Sequence, residues 1–426
     1  MLCLKMITQN FDLVKNKLAS RGFDTKVLTQ IVDLSRERSK MLTSLQKKEA
    51  DRNVLSKRFG SLSQDDKSQK NQIITKVSQL KKTIETAKEK VAQVELALNN
   101  LLATVPNLPE DDVPVGLDES SNKVIKSWAP EQFDFSRSVV AHYELGAEKK
   151  LFDFVSSAQM VGARFWTYLD WGARLVRACS NLMLDFHLSS GFRELNLPLI
   201  VNEKTMYGSG QLPKFANDLF RISGRNWYLI PTSEVSLVGF YSQQILDLSR
   251  PIKLTAYSPC FRAEAGSGGR DTRGLIRGHQ FHKVELVTIS SPADGPSLFE
   301  SVVNQVAQLL EKLHLPYRQV LLCTGDLGFA ASKTIDFEVW LPSENTYREI
   351  SSVSLCRDFQ ARRSLIRGKN ADGEKYYAWT INGSGLALDR TVAALIENHQ
   401  SEGKIKLPAA LSAYLGAKEI KLSSKT

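Results

Sequence analysis

From Ile73 the apolar side chains fall at Ile73, Val77, Leu80, Ile84, Ala87, Val91, Val94, Leu98 and Leu101, alternating steps of four and three residues over four heptads. That spacing is the a/d seam of a coiled coil. It dictates a long helix with one covered stripe and wet flanks. The preceding stretch keeps the period less cleanly through Val27, Ile31, Leu34, Met41, Leu45, Leu55 and Phe59, with Arg38, Lys48 and Arg52 in the remaining seam positions. Between the two runs lies GSLSQDD, Gly60 to Asp66, a polar turn-forming segment. Helices joined by so short a turn lie antiparallel. Residues 27–103 are therefore expected to form a helical hairpin projecting roughly 50 Å, at about 1.5 Å per residue.

The hairpin carries 15 Lys and Arg against 9 Asp and Glu, an excess of six in a chain whose net charge is +10. A solvated or self-pairing coiled coil needs surface charge of this kind. A finger laid against nucleic-acid phosphates would need its sign. The arm alone leaves both readings open.

TVPNLPEDDVPVGLDES, Thr104 to Ser120, holds three of the chain's 14 prolines and a cluster of acids, and it reads as a linker. The expected organisation is an N-terminal domain over 1–103, a linker over 104–120 and a second domain over 121–426. In that domain TIDFEVWL, Thr334 to Leu341, alternates Ile335, Phe337, Val339 and Leu341 on one face of a half-buried strand. Lys283, Glu285 and Val287 alternate with Val284, Leu286 and Thr288 in another. Strands without regular βα repeats point to an α+β fold: a mainly antiparallel sheet flanked by helices, behind the coiled-coil arm. The five cysteines are scattered, with no C-x-x-C pair, so neither a disulfide framework nor zinc is expected. With no run of 18 apolar residues and no apolar leader, a cytoplasmic chain without a membrane span is expected.

The densest chemistry lies in PCFRAEAGSGGRDTRGLIRGHQFHKVEL, Pro259 to Leu286. Arg262, Arg270, Arg273, Arg277 and Lys283 surround a turn containing Gly266, Gly268 and Gly269, with carboxylates at Glu264, Asp271 and Glu285. Arginine grips phosphate oxygens in a planar fork, and glycines let a loop bend tightly. The same charges would also suit a structural salt-bridge loop. Neither G-x-x-x-x-G-K-[ST] nor G-x-G-x-x-G occurs, so a nucleotide would be held without a Walker or Rossmann loop.

FRAEAG, GRDTRGLIRGHQF and KVE resemble motif 2 of class II aminoacyl-tRNA synthetases in the wording of seryl-tRNA synthetases. GFRELNLPLIV, Gly191 to Val201, is similar to motif 1, with Pro198 at an implied homodimer interface. NGSGLALDRT, Asn382 to Thr391, resembles motif 3. GSGQLPKFANDLF, IPTSEVSL, CTGDLGFAASKTIDFEVWLP and TYREISSVS are similar to family segments in the expected order, so the resemblance covers nearly the whole chain.

The resemblance implies activation of L-serine by ATP and its transfer to the 3′-terminal adenosine of tRNA(Ser), with tRNA(Sec) an open second substrate. Arg262 would contact the α-phosphate, Glu264 the adenine amino group and Arg390 the γ-phosphate, while Phe281 would stack on adenine. Phe281 on its own reads first as core packing, and its place in the motif reverses that preference. Ala263, Arg277, His279, Ile350 and Ser351 complete the implied ATP site. Glu349 and Ser352 would hold Mg2+, which suits a cation that keeps few protein oxygens. Arg262, Arg390 and Glu349 are the implied catalytic residues. Thr232, Ser233, Glu234, Glu285, Asn382 and Ser384 would form the serine pocket, where buried groups paired to a substrate hydroxyl reject its analogues. For Glu285, an ion pair with Lys283 is the competing structural reading.

No catalytic histidine is implied, and His142, His187, His282, His314 and His399 read as surface or core. By the same resemblance the hairpin would embrace the long variable arm and elbow of the tRNA, reading shape and backbone more than sequence. The chain departs from the family pattern at Ser233, Ser236, Leu355, Asp389 and His399. A tRNA-binding paralogue, a ligase charging a carrier protein and a coiled-coil scaffold are the competing readings.

Overall fold

The structure, a computed structural model, describes residues 1–63, 66–266 and 273–422. Asp65 of the hairpin turn, and Gly268, Gly269, Arg270 and Asp271 of the glycine-rich turn, lie outside them. The chain forms two compact units, one of Leu2–Ala19 with Phe23–Val105 and one of Pro106–Thr426 with Met1 and Ser20–Gly22.

In the first unit, α1 (Leu4–Gln9) and α2 (Phe11–Ala19) precede two long helices, α3 (Lys26–Ser61) and α4 (Lys67–Thr104). The heptad seam explains their pairing. Leu45 of α3 packs with Ile84 and Val91 of α4, and Met41, Leu42 and Ala87 close around them. Every apolar seam position from Ile73 to Leu101 is buried or half-buried, whereas most residues between them are exposed. Arg38 and Lys48, which interrupt the seam in α3, are half-buried. Arg38 reaches across to Glu95 at 2.7 Å, and Lys88 reaches back to Glu49 at 2.9 Å. These pairs are partly exposed, so they set register more than stability. Two positions differ from the sequence reading. Leu28, not Val27, is the fully buried residue at the base, and Phe59 near the tip is 37% exposed because the partner helix begins there.

The second unit is built on an eight-stranded sheet of β1 (Lys123–Trp128), β2 (Arg193–Glu194), β3 (Ile252–Phe261), β4 (Gln280–Ser290), β5 (Tyr317–Leu321), β6 (Lys333–Leu341), β7 (Thr346–Arg357) and β8 (Trp379–Ala387). Its spatial order is β1-β5-β6-β7-β8-β4-β3-β2, and every pair is antiparallel except β2 with β3. Helices α5 (His142–Glu148), α6 (Asp170–Ser189), α7 (Glu234–Gly239), α8 (Gly295–Lys312), α9 (Phe359–Ser364) and α10 (Leu388–His399) flank it.

Ile335, Phe337, Val339 and Leu341 of β6 are at most 3% exposed and join residues of α6, α8 and α10 in the main core. The opposite face of β6 is wetter but not bare, since Thr334 and Trp340 are also buried. β4 lies between β3 and β8 and is buried from Lys283 to Ser290 on both faces. Polar residues on it therefore need partners. No helix among the described residues is long and apolar enough to cross a membrane.

Ile84→Asp places a charge in the hairpin's core, where an unpaired carboxylate is strongly disfavoured. Hydrogen exchange should show lost amide protection along Lys26–Ser61 and Lys67–Thr104, with protection of the eight-stranded sheet unchanged. Undiminished protection of both helices would contradict the seam.

Candidate active site

The open face of the sheet collects the site through strand register. On β4, Phe281, Lys283 and Glu285 share one face by their period of two. Glu285 lies opposite Ser384 and Val287 opposite Asn382 on β8. Ser354 of β7 lies opposite the same Asn382. Phe281, Lys283, Glu285, Asn382 and Ser384 are thus brought together by two adjacent strands, with Ser354 of β7 flanking them.

Glu349 and Ser352 are three residues apart, and in a regular strand they would face opposite ways. The β6–β7 ladder slips, pairing Asp336 with Ser352, Phe337 with Ser351 and Glu338 with Glu349. Ile350 is the extra residue of a β-bulge, and it enters the core at 1% exposure. Glu349 and Ser352 consequently share a face with Asp336. Burial and the neighbouring Glu349 raise the Asp336 carboxyl well above the usual range, although Ser352 hydrogen-bonds to it. Ser351 is turned inward and donates to the Ser384 carbonyl at 2.6 Å. Among the described residues no group of three or more His, Cys, Asp or Glu side chains is placed to hold a metal.

The charged residues are paired. Arg262 follows β3; its amide donates to the His279 carbonyl at 2.9 Å, its Nε donates to the Pro231 carbonyl at 3.3 Å, and its guanidinium lies 5.0 Å from the Phe281 ring centroid. His279 turns Nδ1 back to the Arg262 carbonyl at 3.0 Å, so its ring braces the backbone. The Ala263 amide donates to the Asp218 carbonyl at 2.9 Å. Glu264 has φ of 51°, unusual for a residue with a side chain, and its carboxylate meets Arg277 at 2.7 Å. Arg390, in the first turn of α10, donates through Nε to the Ile276 carbonyl at 3.0 Å and through Nη1 to the Glu349 carbonyl at 2.5 Å and carboxylate at 3.2 Å. Against partial desolvation, Arg390 first and then Arg262 and Lys283 hold the Glu349 carboxyl below its usual range.

Two cavities share Arg262, Glu264 and Arg277. One, of about 430 Å³, also meets Gln211, Phe215, Asp218 and Pro231. The other, of about 80 Å³, runs along Phe281, Lys283, Glu349, Ile350, Ser384 and Arg390.

The carboxylates of the inner end differ. Lys283 Nζ lies 2.5 Å from Glu285, and Thr232 donates its hydroxyl to the same carboxylate at 2.9 Å. The competing ion-pair reading for Glu285 is therefore realised in the structure. Among the described residues Glu234 forms no ion pair, although Lys283 and Arg262 lie near enough to favour its charged form. Its carboxylate accepts from Gln360 at 2.5 Å and from Asn382 at 2.9 Å. Burial first, and then the charge of Glu285, push its carboxyl up to about 7. Ser233 does not join this group, because its hydroxyl pairs with Ser258 at 2.7 Å.

Sequence reasoning missed Gln360, which bridges Glu234 to the Thr380 hydroxyl, since a glutamine in a six-residue helix has no periodic signature. It also treated Asp389 only as a departure. The Asp389 carboxylate is 2% exposed and accepts from the Trp166 indole at 2.9 Å, the Tyr168 hydroxyl at 2.6 Å and the His282 amide at 2.6 Å, beside Phe281 and Arg390.

A carboxyl whose folded pKa exceeds its unfolded value binds protons more tightly when folded, so it lowers stability as pH rises toward the folded value. From about pH 4.5 to 7 the unmodified chain should lose roughly 1–3 kcal/mol that Glu234→Gln retains. Urea midpoints across that range test this; parallel curves would refute a raised Glu234.

Residues 1–109 match the Seryl-tRNA synthetase N-terminal domain family, and residues 219–399 match the tRNA synthetase class II core domain (G, H, P, S and T). Over 97% of its length the chain is 46% identical to the serine–tRNA ligase of Metamycoplasma arthritidis (strain 158L3-1), covering 98% of that protein. Its structure is similar to the seryl-tRNA synthetase from Pyrococcus horikoshii complexed with ATP, with a TM-score of 0.90, 31% identity and full coverage of both chains. Similarity to the cytoplasmic serine–tRNA ligase from Naegleria fowleri in complex with AMP gives 0.87 at 25% identity, over 100% of this chain and 99% of that one. With both family regions and this full-length likeness beside the sheet and hairpin described above, the chain belongs to the seryl-tRNA synthetase family.

Proposed function

We propose that the chain activates L-serine with ATP, releasing pyrophosphate, and transfers the seryl group to the 3′-terminal adenosine of tRNA(Ser). The observation that carries this reading is a polar track: Arg262, Arg277 and Arg390 line two cavities, and the second reaches Lys283 and Ser384, the ion-pair and cross-strand partners of the buried Glu285. One end of the track suits a polyphosphate, the other a small amino acid.

Arg262, already anchored on Phe281, reaches the α-phosphate as the serine carboxylate attacks in line. Arg390 takes the γ-phosphate, and Glu264 with Phe281 holds the adenine. Ala263, His279, Ile350 and Ser351 shape this end through backbone and packing. Glu349 and Ser352, aligned by the bulge, are the residues that would hold Mg2+, which neutralises phosphate charge when bound. Glu285 and Glu234 receive the serine ammonium, and Thr232, Asn382 and Ser384 define the space around the hydroxyl. Ser233 contributes by fixing the turn to Ser258. Transfer to the ribose needs no protein base, because the adenylate phosphate accepts the proton.

The basic hairpin of 27–103, within an N-terminal domain of 1–103, holds the tRNA by its backbone, with 104–120 linking that domain to the catalytic domain of 121–426 in a cytosolic enzyme. A homodimer is supported by an apolar groove at Pro198, Ile200, Trp227 and Phe240, of which Ile200, Trp227 and Phe240 are 42–51% exposed.

ATP–pyrophosphate exchange with each amino acid tests the substrate, and serine alone should support it. Arg262→Ala should reduce exchange by at least about 100-fold, the scale of losing one transition-state donor. Wild-type exchange in that variant would remove its phosphate role. Deleting residues 27–103 should spare exchange and abolish charging; equal losses in both would separate the arm from tRNA binding.

A further inference from the structure

Glu397 ends α10, two turns after Arg390, and is fully buried. Its carboxylate accepts four hydrogen bonds, from the His142 amide at 3.0 Å, His142 Nδ1 at 2.7 Å, the Ser343 amide at 3.0 Å and the Ser343 hydroxyl at 2.9 Å. Burial pushes this carboxyl up, and the bonds from His142 and Ser343 outweigh it, leaving it below the usual range. An ionised carboxylate only accepts, so His142 carries its proton on Nδ1. Nε2 then presents a lone pair, and the Leu275 amide donates to it at 3.1 Å. The His142 ring is itself fully buried and lines neither cavity.

Leu275 lies two residues before Arg277. The next carbonyl, Ile276, is held by Arg390. Consecutive residues of this segment are thus tied to opposite ends of α10, directly by Arg390 and through His142 by Glu397. Gly274 fits the close approach: its φ is 75°, and a Cβ there would sit 2.2 Å from His142 Nε2.

We propose that His142, oriented by Glu397, is a positioning residue for the nucleotide end of the site, holding the Leu275–Arg277 backbone so that Arg277 and Glu264 meet ATP in a fixed geometry. This rests on the reading of Arg277 as an ATP contact. The histidine acts through one backbone bond and never touches the substrate.

The substitutions His142→Asn and His142→Gln separate its two bonds. Asparagine reproduces the Nδ1 donor but leaves the Leu275 amide unpaired, whereas glutamine can place an acceptor where Nε2 lies. In serine-dependent pyrophosphate exchange, His142→Asn should raise KM for ATP about tenfold, the scale of one buried unpaired amide. KM for serine should stay unchanged, and His142→Gln should recover most of the loss. In an Arg277→Ala background, His142→Asn should add little, because coupled positions are not additive.

Unchanged KM for ATP in His142→Asn, equal rises in both KM values, or full additivity with Arg277→Ala would overturn the proposal. If Arg277→Ala alone leaves KM for ATP unchanged, the underlying reading of Arg277 fails instead, and this proposal with it. Should His142→Asn not fold, Glu397→Gln is read the same way, with a smaller, ATP-selective rise expected and no selectivity contradicting it.

Discussion

Lys283 and Glu285 form an ion pair on an interior strand of the sheet, with side chains 9% and 3% exposed. Leaving either charge alone at that depth would cost several kcal/mol, so the pair must form, and with it the alignment of what surrounds it. Thr232 is drawn onto the same carboxylate, which fixes the turn ahead of α7 against β4. That turn carries Glu234 to the neighbouring position, where amide donors replace a cation. One buried carboxylate is therefore neutralised internally and the other is not. An ammonium group entering beside them would favour the charged form of Glu234, whose carboxyl burial and Glu285 push up to about 7.

The other end of the site follows the same logic in a wetter setting. Glu264 occupies Arg277, and Glu349 occupies Arg390. These pairs fix the guanidinium groups beside the cavities, and phosphate oxygens can take over the hydrogen bonds. Polyphosphate handling thus needs no glycine loop at a helix N-terminus. It needs a sheet stiff enough to fix several arginines, which the sheet, packed against α6, α8 and α10, provides.

The long-range frame was legible because it depends on period. The seam from Ile73 to Leu101 and the inward face of β6 follow from spacings of 3.5 and two, and both appear in the structure. Exceptions fall where a partner is absent or a ladder slips. Phe59 is exposed near the tip, where α4 begins, and Glu349 joins Ser352 only because of a bulge that a local spacing rule cannot supply. Of the site residues drawn from the family resemblance, Phe281, Glu285, Asn382, Ser384, Glu349 and Ser352 are placed by strand register, whereas Ser233 serves Ser258, Ile350 enters the core and Ser351 turns inward. His142, Gln360 and Asp389 were opaque for a shared reason. Each acts through hydrogen bonds to residues distant in sequence, and neither composition nor periodicity encodes those partners.

The most direct measurement is a single-turnover transfer. The chain is incubated with ATP and labelled serine, freed of unbound substrate, and mixed with tRNA(Ser) or with the same tRNA lacking its long variable arm. An enzyme that forms seryl-adenylate and grips tRNA with its hairpin should move label rapidly to the 3′ end of intact tRNA(Ser), and far more slowly to the truncated form. Failure to retain serine with the protein, or equal transfer to both RNAs, would contradict it.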